Sequence, residues 1–185
     1  MTATTELAGA TRDRYRLPLL TFVLVGAAVA VALGVYGREH EPAGYALNVV
    51  GFSGPLYVKA WLTTVAAVLA VVQLLTAGRM YDAAASGRTH AVHRWSGRIA
   101  VLATVPVAVH CLYALGFQGG SPRVLVHSLL GCVLYGAFVV KMLVLTRRDR
   151  PRWIVPVVGG VLFAAVIGLW LTSSLWVFTT TGLHL

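Results

Sequence analysis

An all-α integral membrane protein, built as a five-transmembrane-helix bundle, is predicted by three observations. Hydrophobic residues make up 58% of the 185-residue chain and charged residues only 11%, whereas soluble domains carry roughly 25% charged residues. Five apolar runs of about twenty residues or more alternate with short polar segments, and a helix of that length crosses about 30 Å of hydrocarbon. Twelve of the fifteen lysines and arginines fall on one side of a five-span layout. That asymmetry places the N-terminus in and the C-terminus out. The runs are too long for barrel strands, and only helices or closed barrels satisfy the backbone inside a bilayer.

The elements follow in chain order. Residues 1–16 are polar and basic, with Arg12, Arg14 and Arg16, and read as a short disordered cytoplasmic tail. Residues 17–178 form a single transmembrane domain with spans at about 17–37, 57–78, 92–117, 124–146 and 153–178, followed by an outer tail at 179–185. The first run is longer than a signal-peptide core and lacks a clear cleavage motif, so no removable signal is expected. Between the first two spans lies the one substantial loop, with Glu39, His40 and Glu41 and an apolar piece from Ala46 to Phe52 that reads as an interfacial flap. The inner connections carry Arg79, Arg88, Arg94 and Arg98, then Arg147, Arg148, Arg150 and Arg152. Only Arg38, Lys59 and Arg123 remain outside. The net charge of +9 therefore reports topology and contact with the lipid bilayer, and no nucleic-acid partner is expected. Cys111 and Cys132 lie inside spans without CxxC or CxxCH spacing, which excludes zinc-finger and c-type haem motifs.

The chemistry concentrates in the third and fourth spans. Ionisable side chains inside a membrane are costly and mark function. His110 stands about seven residues, roughly 10 Å, before the end of its span, and His127 stands four residues, roughly 6 Å, after Arg123. The turn between them, Gln118 to Pro122, is short. The two spans are therefore expected to be neighbours, with both imidazoles at one depth, and two imidazoles so placed can clamp a haem iron. Gly131, one turn after His127, leaves room for a flat macrocycle, and Pro106 can re-aim the helix before His110. Lys59, Arg123, Tyr57 and Tyr113 lie near the outer span ends and are expected to meet the two propionates. The competing reading is a pair of histidines hydrogen-bonded by neighbours such as Thr104 or Ser128. His90 and His93 share a helix face on the inner side but have no histidine opposite them.

The run His93-Arg94-Trp95-Ser96-Gly97-Arg98 through Val109-His110-Cys111, with Val126-His127-Ser128-Leu129-Leu130-Gly131, resembles the cytochrome b561 and ferric-reductase group of membrane b-type cytochromes. The five-span layout also resembles small uncharacterised bacterial membrane proteins. The resemblance implies a bacterial inner (plasma) membrane location and haem held through paired histidines. Second histidines of the two-haem cytochromes would fall at Gly97 and at Val140 or Lys141, so a single haem b is expected. The expected function is electron transfer between a membrane quinol and an outer-side redox protein, with His110 and His127 as axial ligands. A stand-alone catalytic residue is not expected. The alternative is a haem-free accessory or assembly subunit of a membrane complex. A transporter is disfavoured because all six carboxylates lie in tails or loops and no inverted repeat is visible.

Overall fold

The computed structural model describes residues 2–44, 48, 50–80 and 86–184. Five helical segments are long and apolar enough to cross a membrane: Pro18–Glu39, Pro55–Arg79, Gly87–Leu115, Pro122–Leu145 and Ile154–Thr181. No strand occurs among the described residues. Helix α1 (Thr2–Glu39) begins well before its span. The segment expected as a disordered tail extends the helix, because adding residues to a nucleated helix costs little and no proline precedes Pro18. Met1 and, in the apolar piece Ala46 to Phe52, residues 46, 47 and 49 lie outside the described residues, as do residues 81–85 between the second and third spans.

Local sequence sets the helix starts. Pro55 opens α2 (Pro55–Arg79) and Pro122 opens α4 (Pro122–Leu145), positions where a missing N–H costs nothing. The Ser86 hydroxyl accepts from Thr89 N at the start of α3 (Gly87–Val109), and the Ser121 hydroxyl accepts from Val124 N at 3.4 Å at the start of α4. After α3 the chain continues as a π-helical turn, His110–Leu115. The fifth span is divided in the same way: α5 (Ile154–Trp170), a π turn at Leu171–Leu175, and α6 (Trp176–Thr181). π turns insert an extra residue and recur at functional sites.

The helices pack in the order α1, α4, α5, α2, α3. α1 meets α4 through backbone contact: a Cβ on Gly136 would lie 2.5 Å from Gly26 O and 3.0 Å from Ala30 Cβ. Small residues permit this approach, which supplies dispersion where lipid removes the hydrophobic drive. Ala66, Ala67 and Ala70 of α2, Leu134 of α4, and Ala165 and Val166 of α5 form the central core.

The expectation that α3 and α4 lie side by side is corrected: α3 packs on α2, and α4 lies between α1 and α5. Backbone bonds explain the separation. The π turn after α3 is tied to α1, with Ala43 N donating to Tyr113 O at 3.2 Å, Gly44 N to Ala114 O at 3.3 Å and Phe117 N to Gly37 O at 2.5 Å. Gly116 makes the exit with φ of 70° and sits so close to Gly37 O that a Cβ would approach it to 2.9 Å. The space left between α3 and α4 is a cavity.

Candidate functional site

The cavity, of about 250 Å³, lies between α2, α3, α4 and the fifth span near the end that carries the α3–α4 turn. This is close to the lower end of the volumes that hold small ligands. Its α4 wall is Val124, His127, Ser128, Gly131, Cys132 and Tyr135, one helical stripe at three- and four-residue spacing. Its α3 wall is Thr104, Val107, Ala108, Cys111 and Leu112. Lys59 and Arg123 line it as well, and no acidic side chain does so among the described residues. Both π turns border this space, since Leu112 and Leu115 come from one and Thr172 and Ser173 from the other.

His127 is held by a neighbour that sequence reasoning missed. Its Nδ1 lies 3.0 Å from Thr172 Oγ1, and that hydroxyl donates to Gly168 O at 2.7 Å. With the Thr172 proton on Gly168 O, the hydroxyl accepts from the ring and Nδ1 carries the proton; with that proton turned to the ring, the roles reverse. In the first arrangement Nε2 keeps its lone pair. This is how metal-ligating histidines are oriented by their surroundings. One turn on, a Cβ built on Gly131 meets nothing within 4 Å, so the wall beside His127 is open.

Arg123 is fixed twice: Nη1 donates to Thr172 O at 2.5 Å, and the guanidinium centre lies 4.0 Å from the Trp176 ring centre. The π turn thus orients His127 with the Thr172 hydroxyl and Arg123 with the Thr172 carbonyl. At the other end of the cavity Tyr135 Oη donates to Thr104 Oγ1 at 3.1 Å, bridging α4 and α3.

The structure brings together four of the seven expected site residues: His127, Gly131, Lys59 and Arg123. The other three do not line the cavity. Tyr57 packs edge-on against His184 with ring centres 5.4 Å apart. Tyr113 and Tyr36 each stack on His40 with ring centres 5.1 Å apart. His110 opens the π turn of α3 and is half-buried, while its neighbour Cys111 occupies the wall. Thr104 and Ser128 are not partners of His127, because Thr104 accepts from Tyr135 and Ser128 donates to Gln118 O at 3.0 Å. The Thr172-Ser173-Ser174 run inside an apolar span was the available signal for the missed residues.

His93 repeats the same construction near the opposite end of the bundle. Its Nδ1 lies 2.9 Å from Thr76 Oγ1, whose proton goes to Val72 O at 2.7 Å. Here, however, the glycine one turn on is filled: a Cβ on Gly97 would lie 3.0 Å from Gln73 Oε1, and Gln73 Nε2 donates to His93 O and, at 2.7 Å, to Ser96 Oγ. Polar packing replaces open space. No group of three or more metal-ligating side chains occurs among the described residues.

A family model described as "Family of unknown function (DUF6529)" matches residues 19–185. The chain belongs to the DUF6529 family. No curated protein and no solved structure matches it. In this DUF6529 protein the matched region covers the five spans except Pro18, and every residue that lines the cavity.

Proposed function

We propose that this DUF6529 protein is a single-haem b-type membrane cytochrome, with its N-terminus in and its C-terminus out across a bacterial cell membrane. The observation that carries the reading is the 3.0 Å contact of His127 Nδ1 with Thr172 Oγ1, which, in the tautomer protonated at Nδ1, leaves the lone pair of Nε2 free beside the open Gly131 wall. The cavity residues fit one face and both charged ends of a haem. His127 would hold the iron through Nε2, and Lys59 and Arg123 would offset propionate charge. The apolar α3 wall keeps water from the opposite face. Haem iron held by imidazole supplies one-electron transfer, here between a membrane quinol and a redox partner on the outer side. His110, half-buried at the start of the π turn, does not line the cavity.

The place of His110 off the wall favours one other reading, a haem-free subunit of a membrane complex whose histidines are polar packing. Expression with haem supplied, purification from membranes and a reduced-minus-oxidised spectrum separate the two. The cytochrome predicts b-type bands that His127→Ala removes and His93→Ala retains, and His110→Ala shows whether a second imidazole ligates. A spectrum without such bands, with a stoichiometric partner protein, establishes the subunit instead.

A further inference from the structure

Hydroxyls in a membrane helix ordinarily give their proton to the carbonyl four residues back, and this chain follows the rule at site after site. Thr63 donates to Lys59 O at 2.9 Å, Thr64 to Ala60 O at 2.8 Å, Ser96 to Val92 O at 2.7 Å and Thr172 to Gly168 O at 2.7 Å. Ser174, fully buried, donates across to Ala60 O at 2.9 Å. Ser173 breaks the pattern. It is 8% exposed, its Oγ has no hydrogen-bond partner among the described residues, and it lines the cavity. A buried hydroxyl left unsatisfied is costly, so its retention at a cavity wall points to a partner that arrives with a ligand.

The charges around it say what that partner is. Lys59 and Arg123 line the same cavity, no acid faces them among the described residues, and Arg123 has one nitrogen and its flat face already committed to Thr172 O and Trp176. Two cations in an apolar cavity call for an anion. Ser173 lies eight residues before Thr181, the end of α6, and thus about 12 Å below the helix end. The rest of the lining is largely apolar, which suits an anionic group carried on an apolar body.

We infer that Ser173, Lys59 and Arg123 form a subsite for a carboxylate carried on a flat or elongated apolar body, with the Ser173 hydroxyl donating the third hydrogen bond. The inference rests on the reading of this cavity as the ligand site. A haem propionate and a fatty-acid carboxylate offer the same chemistry, and the test distinguishes them.

Calorimetric titration of the detergent-purified full chain with haem, haem dimethyl ester and palmitate is the measurement. Haem is expected to bind at least tenfold more tightly than its uncharged ester. Ser173→Ala is expected to weaken haem about tenfold, the loss of one charge-assisted hydrogen bond, and to leave the ester unchanged. Thermal unfolding of the ligand-free protein guards against misfolding: Ser173→Ala melts no lower than wild type, whereas Ser174→Ala melts lower. Equal affinity for haem and ester, or equal weakening of both by Ser173→Ala, overturns the subsite while leaving the haem reading standing. If neither porphyrin binds but palmitate binds in a Ser173-dependent manner, the subsite holds and the haem reading fails. If no carboxylate ligand binds, the subsite falls as well.

Discussion

Two glycines five residues apart on α4 respond in opposite ways to the same methyl group. Replacing a helical glycine with alanine reduces the entropy lost on folding and stabilises by about 0.5–1 kcal/mol where space allows. At Gly131 space allows, since among the described residues no heavy atom beyond its chain neighbours and its own helix backbone lies within 4 Å of the added Cβ. At Gly136 the added carbon would sit 2.5 Å from Gly26 O and 3.0 Å from Ala30 Cβ. The first of these is backbone, which cannot rotate out of the way. The reciprocal contact closes the same gap, because a Cβ on Gly26 would meet Gly136 O at 2.6 Å as well as the Val140 side chain. Relief requires α1 and α4 to separate, and overpacking of this kind costs about 1–3 kcal/mol.

Gly136→Ala is therefore expected to destabilise by about 1–2 kcal/mol net, a fall of roughly 2–8 °C at 2–4 °C per kcal/mol for a chain of this size. Gly131→Ala is expected to melt at or slightly above wild type. Scanning fluorimetry in one detergent at matched protein concentration measures both. Melting of Gly136→Ala with wild type, or an equal fall for Gly131→Ala, refutes the assigned α1–α4 contact and the open wall beside His127. The functional counterpart is Gly131→Leu, which fills that wall and is expected to abolish haem retention without loss of the fold.

Thr172→Val removes the acceptor that fixes His127 Nδ1 and is expected to weaken haem retention by about 10–100-fold; transfer of haem to a soluble acceptor measures it, and Thr172→Ser restores the bond. Tyr135→Phe deletes the bridge to Thr104 at a cost of about 0.5–1 kcal/mol, the low end because Thr104 still donates to Val101 O at 2.7 Å; thermal unfolding reads the difference. Gln73→Leu strips the donors from His93 O and Ser96 Oγ and is expected to cost about 1–2 kcal/mol in the same assay. For the orientation, an alkaline phosphatase fused after Leu185 is expected to be active, and one inserted in the connection between α2 and α3 inactive, in line with the arginine asymmetry.

The spans were legible because hydropathy and length are one-dimensional properties: the five expected runs and the five observed segments differ at most ends by only a few residues. The order in which the spans pack was not. Val68, Leu102 and Leu129 are large, apolar and exposed on the bundle surface, where lipid is as apolar as the interior. No polar stripe therefore marks which face of a span meets its neighbour. Chain adjacency stood in for that missing signal, and it failed at α3 and α4 because the ties from Ala43, Gly44 and Phe117 draw the end of α3 toward α1. Thr172 and Ser173 were missed for a related reason, since their roles come from packing between α4 and the fifth span, distant in sequence.

Depth and azimuth separate the two histidines of the third and fourth spans. Matched depth is read by counting residues to the nearest turn, and it places His110 and His127 at comparable levels. Azimuth is read from the residues that share a face. His127 belongs to the stripe of Val124, Gly131 and Tyr135, all on the cavity wall. On α3 the wall is formed by Thr104, Ala108 and Cys111, and consecutive helical residues point about 100° apart, so His110 falls on the flank of the face that Cys111 occupies. A π turn begins at that residue. If the turn relaxes toward α-helical winding, the residues after His110 rotate relative to α3, at the expense of the bonds from Ala43 and Gly44 to its carbonyls. His110, the first residue of the turn, stays with α3 whatever the winding after it, whereas His127, in contact with Thr172, already stands on the wall.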